Sequence, residues 1–242
     1  EVVGMPVRQE FLSCDQAAAR KELGIDDGNP VVLSAFGSQG AKVMNETMAD
    51  MMALEQKDNF PFRHIHATGS YGWEWMPGRV KGNGVDWETC ERIDMREYIY
   101  NMPTVMAAAD VIIGRAGASS CNEIAAAGTP CILIPSPNVT DNHQEKNARA
   151  LSDQGAAVLM LEKDCTAQAL MASMVGFYCI YNGKEGLQRA AMVAHSAALT
   201  VKEALEAMGY KVRTQALFDT LEVEAEASVI QDIALAREIN MF

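Results

Sequence analysis

The sequence predicts a doubly wound α/β domain on a parallel six-stranded sheet, and three observations predict it. Short apolar runs rich in β-branched residues alternate with stretches of helical periodicity. Two of those runs end in small-residue turns that open helices. The composition is that of a globular chain, with 49% of 242 residues hydrophobic and 21% charged, enough for one large core or two small ones.

Strands are expected at 31–36, 62–68, 93–98, 111–114, 131–135 and 157–161, each a short run bounded by turn residues. Helices are expected at about 42–54, 102–108, 122–127, 144–154 and 167–178, with a longer one over 187–208. Gly128 followed by Pro130, and Gly155, fall where a helix ends in a left-handed residue and a proline blocks its continuation. Residues 1–209 then form one nucleotide-binding domain, half of a two-domain architecture. Two segments depart from the rhythm. The stretch 69–91, with five glycines, Pro77 and Trp73, Trp75 and Trp87, reads as a long loop. The stretch 210–242 has no Gly or Pro and spaces Leu217, Leu221, Ile230, Ile233 and Ile239 among acids, so it reads as a helical tail.

Charge and cysteine usage exclude several classes. A net charge of −12 with 20 basic residues supplies no Lys/Arg face for a nucleic-acid backbone, so any phosphate is bound locally. Six cysteines form no C-x-x-C pair and lie mostly in apolar runs, as reduced core thiols of a cytosolic protein do. No run approaches the roughly 18 apolar residues of a membrane span, and no basic segment leads into an apolar one at the start. The chain is expected to be neither secreted nor integral to a membrane. Glu1-Val2-Val3-Gly4 starts mid-pattern without an initiator Met, and the expectation is a piece of a longer protein.

Three constellations carry chemistry. In the first, the strand Val31 to Phe36 runs into Gly37-Ser38-Gln39-Gly40-Ala41 and a helix. Unpaired N–H groups and the positive end of the dipole suit a phosphate there, and Ser38 adds a hydroxyl; a βα turn using glycine for its geometry alone fits too. In the second, Asp110 to Gly114 leads into Arg115-Ala116-Gly117-Ala118-Ser119-Ser120-Cys121-Asn122-Glu123. Ser120 and Glu123 either form a capping box, or Glu123 accepts two hydrogen bonds from a ribose diol beside a phosphate-binding turn. In the third, Pro135 to Ala148 sets Asp141, Asn142, His143, Gln144 and Asn147 at a helix start. Amides and a carboxylate there suit hexose hydroxyls, which both donate and accept, although Asp141 or Asn142 serves equally as an N-cap. No His/Asp set has metal-ligand spacing. Turns at the carboxyl ends of a parallel sheet share a crevice where ligands collect.

These motifs in their order resemble the C-terminal half of the MurG family. They are Gly4-Met5-Pro6-Val7-Arg8, Gly37 to Ala41, Tyr98-Ile99 with Met102, Asp110 to Glu123, Ala125-Ala126-Ala127-Gly128-Thr129-Pro130, and Asp141 to Gln144 with Asn147-Ala148. The resemblance spans roughly residues 1–208. It implies a Rossmann-like half of a GT-B glycosyltransferase and an inverting transfer of N-acetylglucosamine from UDP-N-acetylglucosamine to a lipid-linked muramoyl-pentapeptide, lipid I to lipid II of peptidoglycan synthesis, without a cofactor or metal. It assigns Arg8 to the nucleotide, Ser38, Gln39 and Gly40 to the phosphates, and the Ile99 backbone to the uracil edge. Ala118, Ser119, Ser120, Cys121, Asn122 and Glu123 line the nucleotide, with Glu123 on the ribose, and Gln144 and Asn147 face the sugar. Two departures stand out: Met5 replaces an Asn, and Phe36 replaces a Gly at the head of the first turn, where its bulk could alter the approach of a phosphate. The resemblance further implies a cytoplasmic enzyme, peripheral at the inner face of the bacterial membrane. The acceptor site and the membrane-facing surface lie in an N-terminal half absent here, so this fragment alone is expected to be inactive. A diacylglycerol glycosyltransferase and a non-catalytic UDP-sugar-binding module are the alternatives.

Overall fold

A computed structural model of the chain describes residues 6–25, 28–214, 217–218 and 220–224. Gly4 and Met5 of the first motif, and the tail beyond 224, lie outside the described residues. The chain divides into two compact units, Glu1–Phe177 and Tyr178–Phe242, taken in turn.

The first unit holds six parallel strands: β1 (Val31–Ala35), β2 (Arg63–Ala67), β3 (Ile93–Arg96), β4 (Val111–Gly114), β5 (Cys131–Leu133) and β6 (Ala157–Leu159). They lie in the order β3-β2-β1-β4-β5-β6. The chain therefore winds outward from β1 on one side, crosses back, and winds outward from β4 on the other, which makes the β1/β4 junction the topological switch point. Its helices are α1 (Glu10–Ser13), α2 (Gln16–Glu22), α3 (Lys42–Lys57), α4 (Ser70–Trp73), α5 (Met76–Gly82), α6 (Met102–Ala108), α7 (Ala118–Ala127), α8 (His143–Ser152) and the beginning of α9 (Ala167–Ala207).

Alternation along the strands divides the core between two faces. Val32, Phe36, Ile93, Met95, Ile113 and Ile132 point to the face covered by α3 and α5. Val31, Leu33, Ile65, Ile112 and Leu133 point to the face that receives Phe11, Val105, Met106, Ile124 and Ala148. Helix α3 is set on the sheet by Met44, Met48, Met51 and Met52, all fully buried at helical spacing. Each such side chain contributes about 1.5–3 kcal/mol by leaving water. At the opposite end of the strands Asp110 ties three elements together: its carboxylate accepts the Val31 N–H at 2.7 Å and pairs with Gln16 and Arg20 of α2.

The segment 69–91 is not a loop. It contains α4 and α5, and Met76 and Val80, spaced i and i+4, are fully buried together with Val85, while Trp73 packs edge-on against Trp87. Two of its glycines serve close packing: a Cβ on Gly72 would lie 2.2 Å from the Asn45 amide nitrogen, and one on Gly69 would lie 2.1 Å from Gly40 N.

In the second unit α9 continues through Gly183 and Gly186, where the sequence predicts a break between two helices. Beyond it the described part of the tail is not helical. Strands β7 (Lys211–Val212) and β8 (Val223–Glu224) pair antiparallel, with Arg213 bonded to Glu222 and Glu224 and Lys211 to Glu224. Alternating charge across a two-stranded pair outweighs the wide apolar spacing that suggested a helix.

Candidate functional site

The turns after β1, β4 and β5 all lie at the carboxyl end of the sheet, and β1 and β4 are register neighbours there, Ala35 opposite Gly114. The β1 turn closes with Gly40 N–H donating to the Gly37 carbonyl at 3.1 Å. It is clasped by the end of β2, because Ser70 N–H donates to the Ser38 carbonyl and Tyr71 N–H to that of Gln39. The backbones approach so closely that a Cβ on Gly40 would lie 2.0 Å from the Thr68 carbonyl oxygen, and one on Gly69 would lie 2.1 Å from Gly40 N. Gly40 adopts φ +79°, a second reason for glycine at that position. Asn45, one turn into α3, donates its amide to the same Thr68 carbonyl at 2.7 Å. This clasp went unread in the sequence, although Thr68-Gly69 directly after a strand was its signal.

The clasp uses the Ser38 and Gln39 carbonyls and Gly40 N–H is spent within the turn, while the Ser38 and Gln39 N–H groups make no backbone hydrogen bond among the described residues. Ser38 and Gln39 are exposed, and the Ser38 hydroxyl has no partner among the described residues. Helix α3 has Ala41 at its N-cap with no side-chain cap, so the N–H groups of its first turn and the positive end of its dipole face the crevice. Phe36 does not intrude. It is 4% exposed and its ring packs toward His66 in the core.

The β4 turn repeats the arrangement with one correction. Helix α7 begins at Ala118 with Gly117 as N-cap and no side-chain cap, so Ser120 lies inside the first turn and forms no capping box with Glu123. Small residues at 116–118 let the chain enter the helix four residues earlier than the apolar pattern suggested. Glu123 is half-buried with no hydrogen-bond or ion-pair partner among the described residues. Ala118 and Ser119 are exposed, and Ser120, Cys121 and Asn122 half-buried; the Asn122 amide donates to the Ala118 carbonyl, and burial pushes the Cys121 thiol up. Arg115 turns away from the crevice, donating to the Ile134 carbonyl and pairing with Glu162.

The third turn brings α8 in beside the second. Asn147 donates to the Ala116 carbonyl at 3.0 Å, and the Gln144 side-chain oxygen accepts the Ser136 N–H at 2.9 Å. Each amide thus has one end fixed by the scaffold and the other available. Asp141 and Asn142 adopt successive left-handed conformations, φ 53° and 52°, a costly arrangement for non-glycine residues and one that collects at binding sites. His143 is occupied, its Nδ1 lying 2.8 Å from the Thr140 carbonyl.

Ile99 follows β3 with its side chain buried, while its backbone N–H and C=O make no backbone hydrogen bond among the described residues; exposed Tyr98 and Tyr100 flank it edge-to-face at 4.9 Å. Arg8 stands exposed ahead of α1, its guanidinium 5.0 Å over the Phe11 ring, and α1 packs against α6 and α7. The structure thus joins the β1, β4 and β5 turns at one edge, with Ile99 after β3 at the same end of the sheet. Among the described residues no three His, Cys, Asp or Glu side chains cluster as metal ligands would, and no helix is long and apolar enough to cross a membrane.

The chain is similar to known proteins in sequence and in fold. A UDP-N-acetylglucosamine--N-acetylmuramyl-(pentapeptide) pyrophosphoryl-undecaprenol N-acetylglucosamine transferase of Desulforudis audaxviator is 39% identical over 177 residues, covering 73% of this chain and 47% of that protein. The like-named protein of Acetivibrio thermocellus is 43% identical over 164 residues, covering 66% and 42%. The chain spans about half the length of these curated relatives. A crystal structure of Acinetobacter baumannii MurG superposes with a TM-score of 0.55 at 26% identity, covering 74% of this chain and 48% of that one. A Rickettsia africae glycosyltransferase superposes at 0.51 with 11% identity, covering 73% and 43%, a likeness of fold alone. Residues 31–204 match the glycosyltransferase family 28 C-terminal domain, and the chain belongs to that family.

Proposed function

We propose that this chain is the donor-binding half of an inverting glycosyltransferase that moves N-acetylglucosamine from UDP-N-acetylglucosamine to a lipid-linked muramoyl-pentapeptide, converting lipid I to lipid II. The observation that carries the reading is the set of three helices, α3, α7 and α8, whose side-chain-uncapped N-termini converge on the carboxyl edge of the sheet. They supply N–H donors and positive dipole ends to a diphosphate without a surface lysine cluster. The names of the relatives carry the same substrates.

In this reading the α3 turn at Ser38, Gln39 and Gly40 and the α7 turn at Ala118 and Ser119 take the diphosphate. Ser120, Cys121 and Asn122 line the nucleotide, Glu123 accepts the ribose hydroxyls, and the Ile99 backbone reads the uracil edge. Gln144 and Asn147 hold the sugar with their free amide ends, and Arg8 approaches the nucleotide. An acceptor hydroxyl attacks the anomeric carbon, the bond to the β-phosphate oxygen breaks, and negative charge grows on departing UDP. The fixed N–H groups meet that charge without reorganising, so they act in the transition state as well as in binding. Acceptor binding, deprotonation of its hydroxyl and attachment to the membrane surface are assigned to the half of the relatives' length that this chain does not span.

Two experiments test this. Glu123→Ala should weaken UDP binding by about tenfold, the loss of a charge-assisted contact, while leaving thermal stability within a degree or two; a variant that loses stability but keeps its affinity would assign Glu123 to the fold. Co-expression with the N-terminal half of a relative should restore transfer to a lipid-linked acceptor, and binding without any transfer would instead favour a non-catalytic UDP-sugar module.

A further inference from the structure

Beneath α3 lies a buried polar array that the donor site does not use. Ser34 Oγ on β1 lies 2.6 Å from His64 Nε2 and 2.7 Å from His66 Nδ1, and His64 Nδ1 lies 2.8 Å from Glu55 Oε1 of α3. Ser34, His64 and His66 are fully buried and Glu55 is 6% exposed. The Ser-His-Glu order is that of a hydrolase triad, but it is sealed under Met48, Met51 and Met52 and admits no substrate. Such an array is expensive unless every member is satisfied, yet His66 Nε2 has no partner among the described residues. It needs a reason.

We propose that this array is a positioning device for the donor turn. It clamps α3 to β2 through the chain of hydrogen bonds from Glu55 to His64, Ser34 and His66. The inference rests on the donor-binding reading above. Helix α3 is fastened to β2 by two buried hydrogen bonds, Asn45 to the Thr68 carbonyl near its start and Glu55 to His64 near its end. They are ten residues apart, about 15 Å along the axis. Two ties at that spacing fix the helix against tilting and sliding, and its N-terminus is the one aimed at the diphosphate.

Counting donors gives each contact a direction. His64 Nδ1–H donates to the Glu55 side chain, the Ser34 hydroxyl donates to His64 Nε2, and His66 Nδ1–H donates to Ser34 Oγ. Burial and the neighbouring His64 hold His66 well below the usual histidine range, which keeps its ring neutral. The array is packed into the apolar cluster that holds Met44, Met48, Met51 and Met52 of α3 and Ile93 and Met95 of β3.

The test compares UDP with uridine on the full chain at pH 8 for the wild type, Glu55→Gln and Glu55→Ala. A device acting on the α3 terminus changes only the diphosphate's increment, so Glu55→Ala should lower UDP affinity by about threefold to tenfold, the scale of a helix-terminus interaction, and leave uridine affinity unchanged. Glu55→Gln keeps an oxygen that accepts the His64 N–H and should hold the UDP affinity. If Glu55→Ala does not fold, Glu55→Met, which keeps the volume and loses the acceptor, carries the same comparison. Parallel losses for UDP and uridine, or UDP affinity unchanged without the acceptor, would overturn the proposal. A wild type that binds neither compound would sink the donor-binding reading instead.

Discussion

Gly37 and Gly40 bracket the donor turn, both at positive φ, +89° and +79°, yet replacing them with alanine should have unequal effects. The left-handed region costs an L-residue about 1–2 kcal/mol. At Gly37 that is the whole effect, since an added Cβ meets nothing within 4 Å. At Gly40 the Cβ would sit 2.0 Å from the Thr68 carbonyl oxygen, against the roughly 3.3 Å of a close C···O contact, so backbone must move by about an ångström. Thr68 O is the acceptor for Asn45, and displacing it also leaves that buried amide unsatisfied, a further cost of about 1–3 kcal/mol. Gly37→Ala should therefore lower stability by about 1–2 kcal/mol and Gly40→Ala by about 2–5 kcal/mol. Urea unfolding followed by tryptophan fluorescence measures both, with the midpoint shifting and the slope unchanged. Equal losses at the two glycines would refute the backbone clasp between the ends of β1 and β2.

Asp110→Ala strips the acceptor from the Val31 N–H and from Arg20, and should cost about 2–4 kcal/mol in the same urea assay. Arg115→Met leaves Glu162 unpaired and the Ile134 carbonyl without its donor, for a loss of about 2–3 kcal/mol; Arg115→Met with Glu162→Leu should lose less, because no lone charge remains, as a double-mutant cycle would read. Burial pushes the thiols of Cys131 and Cys165 up to about 12 and about 11 from 9.0. The folded chain then binds more protons than the unfolded one above pH 9. Stability should be at its full value below that pH and fall as pH rises toward 11 to 12, and neither thiol should react with iodoacetamide at pH 8 until the chain unfolds.

Much of the sheet was legible because a strand buried on both faces must be continuously apolar and end in a turn; β4 matches its expected bounds, and the other five lie within theirs. The turns at Gly37 to Gly40 and at Gly117 were legible for the same reason, since residues that permit close backbone approach are few. Where several weak signals competed, the sequence misled. Five glycines and Pro77 hid α4 and α5, although Met76 and Val80 already had helical spacing. Ser120 and Glu123 matched a capping box by spacing, but only tertiary placement of Gly117 decided which residue takes the N-cap. The buried array went unread because its members come from three elements, and one clue was available: in Arg63-His64-Ile65-His66-Ala67 two histidines occupy one face of a strand predicted to be buried. The hydrogen-bond partner for that face came from Glu55, on a helix whose orientation no local pattern fixes.

The central claim, that the uncapped N-termini at the carboxyl edge hold a uridine diphospho-sugar, is tested most directly by titrating the full chain with UDP-N-acetylglucosamine by calorimetry while following backbone amides by NMR. Saturable heat is expected, with amide shifts confined to residues 7–9, 37–44, 99–101, 116–123 and 136–147. No heat at millimolar ligand, or binding whose shifts fall elsewhere on the chain, would contradict it.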